Sequence, residues 1–145
     1  MREQPYPGDG GAIHLVNPEQ LGPPVGFSHV AITGGLAWIA GQTAADPAGH
    51  ISDCGDLVAQ FELAIKNLGR ALAAVGCRPE DVIKVTYYVT DVPAYRANLE
   101  PIGQAYRALF GRHFPAATLI GVACLFDSDA MVEIDCVARA KEVPE

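Results

Sequence analysis

At 145 residues, half of them apolar, the chain has the length of one domain and enough apolar side chains for one full core. A formal charge of −7, with no lysine- or arginine-rich run, argues against nucleic acid or an anionic membrane surface as a partner. No apolar run reaches the roughly 20 residues that span a bilayer, and the N-terminus lacks the hydrophobic core of a secretory signal, so the expected location is cytoplasmic.

Residues 1–24, rich in Pro and Gly, read as an irregular arm with room for one short strand at Ala12–Leu15, and residues 25–145 read as a single domain. His29–Thr33 and Leu36–Ala40 flank Gly34-Gly35, a two-residue hairpin signal. The clearest helix follows, with Asp53 as the expected N-cap. Leu57, Phe61, Ile65, Leu68, Leu72 and Val75 recur every three or four residues and make one apolar stripe. Gln60, Glu62, Lys66, Asn67 and Arg70 are assigned to the opposite, solvated side, and Gly76 is expected to stop the helix in the left-handed region.

Val82–Thr90 alternates with period two: Ile83, Val85, Tyr87 and Val89 on one face, Lys84, Thr86 and Tyr88 on the other. Asp91 then caps a helical region that Pro101 divides near residue 100 and Gly111 ends. Two strands, about 116–126 and 131–139, close the chain. Strands alternating with two amphipathic helices predict one sheet with both helices on one face. The other face, with Trp38, a tyrosine, Ile120 and Val122, is too apolar for a monomer and predicts self-association.

Four cysteines (Cys54, Cys77, Cys124, Cys136) form no C-x-x-C pair and read mainly as small buried hydrophobes, with Cys124 in the core. The four histidines are dispersed, which makes a metal site improbable. His113 reads as a solvated loop residue, and Trp38 as packing. Glu133 stands out, a carboxylate between Val132 and Ile134 on an apolar strand, where burial without a partner is costly; it marks an edge or a site.

Taken together, Ile39-Ala40-Gly41-Gln42, Val82–Asp91, Tyr106–Phe110 with Phe114-Pro115-Ala116, and Val132-Glu133-Ile134-Asp135 resemble the Rid (YjgF) family of reactive-intermediate deaminases, over about residues 25–140. The resemblance implies a chorismate-mutase-like α+β fold, a mixed sheet with two helices on one face, assembled as a homotrimer with a barrel-like core and clefts between subunits. It also implies cofactor-free hydrolysis of imines and enamines, with Glu133 positioning water. The implied substrate-binding positions are Phe27, Ala40, Gly41, Tyr88, Ala117, Thr118 and Leu119, with no metal.

The family's carboxylate-gripping arginine is replaced here by Ala117, and Gly103 falls where an asparagine is often found. Losing a bidentate, charge-assisted contact costs about 2–5 kcal/mol of binding. The expected function is therefore binding and deamination of a small imine, enamine or related C–N compound without selection for an α-carboxylate. The alternative is a non-catalytic binding, regulatory or chaperone-like homologue. Arg107 or Arg112 would have to reach in from elsewhere to restore carboxylate recognition.

Overall fold

A computed structural model describes residues 11–141. Residues 1–10 of the arm and residues 142–145 lie outside the described residues. Six strands form one sheet: β1 (His14–Val16), β2 (Val30–Thr33), β3 (Leu36–Gln42), β4 (Val82–Val89), β5 (Ala116–Gly121) and β6 (Val132–Arg139), in the spatial order β1-β2-β3-β6-β4-β5. All neighbours are antiparallel except β4 and β5, which run parallel because a helical crossover separates them in sequence. Three helices, α1 (Leu57–Ala74), α2 (Val92–Ala97) and α3 (Leu99–Phe110), make the crossovers, and the mixed sheet with helices on one face is the expected α+β architecture. Gly34 and Gly35 both take positive φ, 59° and 76°, as a two-residue hairpin turn requires.

α1 buries Leu57, Phe61, Ile65, Leu68 and Leu72 against the sheet and α3, and Gly76 leaves the helix with φ 71°. Its N-cap is Asp56, whose carboxylate accepts from the Ala59 N–H at 3.0 Å; the expected cap, Asp53, lies in the preceding turn with φ 54°. Gln60 and Asn67, assigned to the solvated side, are buried at 0% and 2% exposure. They share the spacing of Leu57, Ala64 and Ala71, so the buried face of α1 is wider than its large apolar residues indicate.

Asp91 caps α2 by accepting from the Ala94 N–H at 2.9 Å, and Gly111 ends α3 with φ 58°. Val85, Tyr87 and Val89 of β4 face the helices, but Ile83 is half exposed, because a register shift between Val82 and Lys84 turns it to the open face. β5 stops at Gly121, short of the expected 126, and Cys124 is exposed instead of in the core. Cys54 is exposed too; Cys77 and Cys136 are buried, and burial pushes the Cys136 thiol up to about 12. His113 is tethered, its Nε2 2.8 Å from the Val82 carbonyl.

Candidate active site

The site begins with an irregularity. Between β3 and β6 the pairing runs from Ile39↔Cys136 to Gln42↔Ile134, three steps on β3 against two on β6. This β-bulge carries Ala40 and Gly41 opposite Asp135. Strict alternation would put Gln42 on the open face; the extra residue returns it to the buried side, at 3% exposure. Glu133 of β6 lies across from the bulge, its side chain over Gly41. A Cβ at Gly41 would come within 2.6 Å of the Glu133 Cδ, so any side chain there would displace the carboxylate from this position.

Glu133 accepts no hydrogen bond and forms no ion pair among the described residues. Desolvation, followed by the nearby Asp135 charge, raises its pKa above the ordinary glutamate range. Asp135 is two residues along the same face and accepts from the Tyr88 hydroxyl at 3.1 Å. The result is a carboxylate biased toward holding a proton, beside a second one that is hydrogen-bonded to a tyrosine.

Around Glu133 lies a cavity of about 590 Å³, lined by Phe27, Ala40, Gly41, Ile51, Leu125 and Phe126 among others. Its walls are loops, and buried polar side chains hold them. Asn67 donates to the carbonyls of Thr43 and Ala45, both at 2.9 Å, which pins the chain leaving β3. Gln60 donates to the Asp129 carbonyl at 2.9 Å and accepts from the Met131 N–H at 2.8 Å, which fixes the turn entering β6. His29, 5% exposed, lies 2.7 Å from the Gly22 carbonyl through Nε2 and 3.1 Å from Gln42 Nε2 through Nδ1. The Gln42 amide also donates to the Ala40 carbonyl, so Nδ1 is the acceptor and Nε2 carries the proton. The sequence pattern assigns Gln60 and Asn67 to the solvated side and Gln42 only to a motif, and it gives none of these, nor His29, a role in the site. The available signal was the seven-residue spacing of Gln60 and Asn67 beside two alanines on the stripe's flank.

Of the expected site residues, Glu133, Phe27, Ala40 and Gly41 meet in this cavity. Tyr88 is the cross-strand partner of Glu133 on the open face but turns its hydroxyl to Asp135. Thr118 is on the same face, in contact with Lys84. Ala117 and Leu119 pair with the buried-side residues Val85 and Tyr87 and so face the helix side of the edge strand β5. Within one protomer, these four positions lie outside the cavity lining. No lysine or arginine among the described residues lines the cavity. Among the described residues no group of three or more His, Cys, Asp or Glu side chains converges to hold a metal ion, and no helix is long and apolar enough to cross a membrane.

Known proteins share this arrangement at the level of family and fold. Residues 18–140 match the family model described as Endoribonuclease L-PSP. The chain is 31% identical over 132 residues to a RutC family protein of Synechocystis, covering 87% of this chain and 95% of that one. It is 30% identical over 121 residues to a 2-iminobutanoate/2-iminopropanoate deaminase of Capra hircus, covering 83% and 82%. A solved structure of a putative endoribonuclease from Thermotoga maritima superposes with a TM-score of 0.77 at 27% identity, covering 90% of this chain and 98% of that one.

Proposed function

Since the chain belongs to the Rid (YjgF) family, whose model is described as Endoribonuclease L-PSP, we propose that it hydrolyses small imines, or the enamines that tautomerise to them, without selecting an α-carboxylate. The observation that carries this reading is Glu133: a carboxylate with raised pKa and no hydrogen-bond or ion-pair partner among the described residues, held over Gly41 at the wall of a cavity. In the reaction, water adds to the C=N carbon of an iminium and the π pair moves to nitrogen. Glu133 takes the proton released by water, and its protonated form returns it to nitrogen. The C–N bond then breaks as an oxygen lone pair forms the carbonyl, and the remaining hydroxyl proton passes to the departing ammonia, so that R2C=NH2⁺ and water give R2C=O and NH4⁺. No cofactor enters this balance.

Ala117 removes the family's carboxylate contact, which supports a substrate lacking that group. An RNA substrate is disfavoured by the net charge of −7 and by a cavity whose described lining holds two carboxylates and no lysine or arginine. The protein acts as a cytoplasmic homotrimer in this reading, with Ala117, Thr118 and Leu119 on the exposed edge of one copy reaching the cavity of the next.

Ammonia release from freshly generated carboxylate-free imines, compared with 2-aminoacrylate, tests the proposal. Glu133→Gln is expected to lower turnover by about 10²–10⁴-fold. Unchanged rates would remove Glu133 from the mechanism. Wild-type protein that adds nothing to the buffer rate with any imine would leave the non-catalytic binding role.

A further inference from the structure

The same cavity specifies more than the reaction. Among the described residues, its carboxylate-bearing lining groups are Glu133 and Asp127, with no lysine or arginine in the lining. Asp127 is committed to its turn, accepting from the Asp129 N–H at 2.9 Å, whereas Glu133 has no partner of its own among the described residues. A partly desolvated, unpaired carboxylate is stabilised by a cation and destabilised by an anion. His29, Gln42, Thr43 and Asn67 are its uncharged polar side chains, three of them engaged in the clamps described above, and Val25, Phe27, Ile51, Leu125 and Phe126 supply its large apolar surface. Phe27 is steadied edge-on against His29, ring centroids 5.1 Å apart at 81°. Phe126 is fully exposed on the loop before β6, its ring without cover. Aromatic faces beside a carboxylate attract a cation through the ring quadrupole and give an aryl group a stacking surface. Size points the same way, since about 590 Å³ falls in the range of sites for ligands well above three or four carbons.

We infer that the cavity selects a cationic, carboxylate-free iminium bearing an aryl-sized apolar substituent, the positive nitrogen against Glu133 and the substituent between Phe27 and Phe126. The inference rests on the proposed imine chemistry for its reacting group, while its charge and size preference is read from the lining that one protomer supplies. Glu133 then has two tasks at one place: it attracts the C=NH2⁺ end, and it handles the water proton. The product carbonyl is neutral, so it loses the charge that drew the substrate in and leaves readily.

Calorimetric titration with three stable probes decides the matter: 2-phenylethylammonium, 3-phenylpropanoate and the neutral 3-phenylpropan-1-ol. The cation is expected to bind at least about tenfold tighter than the anion, with the gap shrinking as salt is raised. Glu133→Gln, close to isosteric, should collapse the cation's advantage while leaving the alcohol unchanged. Phe126→Ala, an exposed position with little effect on folding, should weaken all three. Equal binding of cation and anion, tighter binding of the anion, or no binding of any probe at millimolar concentration would each overturn the inference. An anion preference abolished by Arg107→Ala would also overturn it, by showing that this guanidinium, folded back over Gly103, supplies carboxylate recognition in the assembled protein. Failure is distinguishable from failure of the imine reading. Cation-selective binding without ammonia release sinks the hydrolysis alone; ammonia release without charge preference sinks the selectivity alone.

Discussion

Glu133 is held at an energetic cost, and that cost has a sign. Its folded pKa is raised, by burial first and by Asp135 second. A carboxylate with a raised folded value favours the folded state while protonated. That contribution is full below the ordinary glutamate value, about 4.3, and is lost as pH rises through the folded value. Ionised Glu133 therefore destabilises the protein at neutral pH, and a neutral isostere relieves it. Glu133→Gln is expected to melt at the same temperature as wild type near pH 4 and above it near pH 7.5, while turning over imines far more slowly. Melting curves across that range check this; a variant less stable at pH 7.5 would mean that the carboxylate has a stabilising cationic partner. Gain of stability with loss of activity is the signature of a site residue kept for its chemistry.

At the scale of elements, the cavity is built by polar side chains placed where apolar ones would have served α1 equally well. Asn67 satisfies two carbonyls of the chain leaving β3 and accepts from Arg70 at 2.7 Å. Asn67→Ala leaves the Thr43 and Ala45 carbonyls without their donor and should cost about 1–3 kcal/mol. Because Thr43 and Ala45 line the cavity, KM should rise in the variant as well. A thermal melt and a Michaelis curve measured together check this, and an unchanged KM would separate the clamp from the site. These clamps were hard to read in the sequence for a physical reason: Gln60 and Asn67 are polar, and polarity on a helix usually marks the solvated face. What was legible rested on strong local signals: the apolar stripe of α1, the glycine pair at the hairpin, the Asp91 cap and the Gly111 stop. The bulge at Ala40-Gly41 was not legible, since nothing in a two-residue period announces an extra residue, and it alone turns Gln42 inward. Asp53 is the expected cap of α1, and the fold sets the cap three residues on, at Asp56. Glu133 was visible because a single carboxylate in an apolar strand has few inexpensive explanations.

For the whole molecule, the sheet has one covered face and one bare one. On the bare face Trp38 and Ile83 are each 50% exposed and Ile120 is 42% exposed, and every residue of the edge strand β5 is exposed. An uncovered apolar sheet face with an open edge strand is a standing invitation to association, and closed symmetry satisfies it without running on into fibres. Three copies joined through this face would bury Trp38 and Ile120 and carry the β5 edge of each to the Glu133 cavity of a neighbour. Two single changes separate this from a coincidental apolar surface. Trp38→Glu and Ile120→Lys each place a charge where an interface would have to desolvate it, at several kcal/mol, but both sites are solvated in a lone protomer and should leave its fold intact. Wild-type protein is expected to run at three times the monomer mass in light scattering at micromolar concentration, and both variants to run as folded monomers with depressed imine turnover. A monomeric wild type would sink the assembly. Monomeric variants with full turnover would show that one protomer's cavity is a complete site, and would put Ala117, Thr118 and Leu119 outside the chemistry altogether.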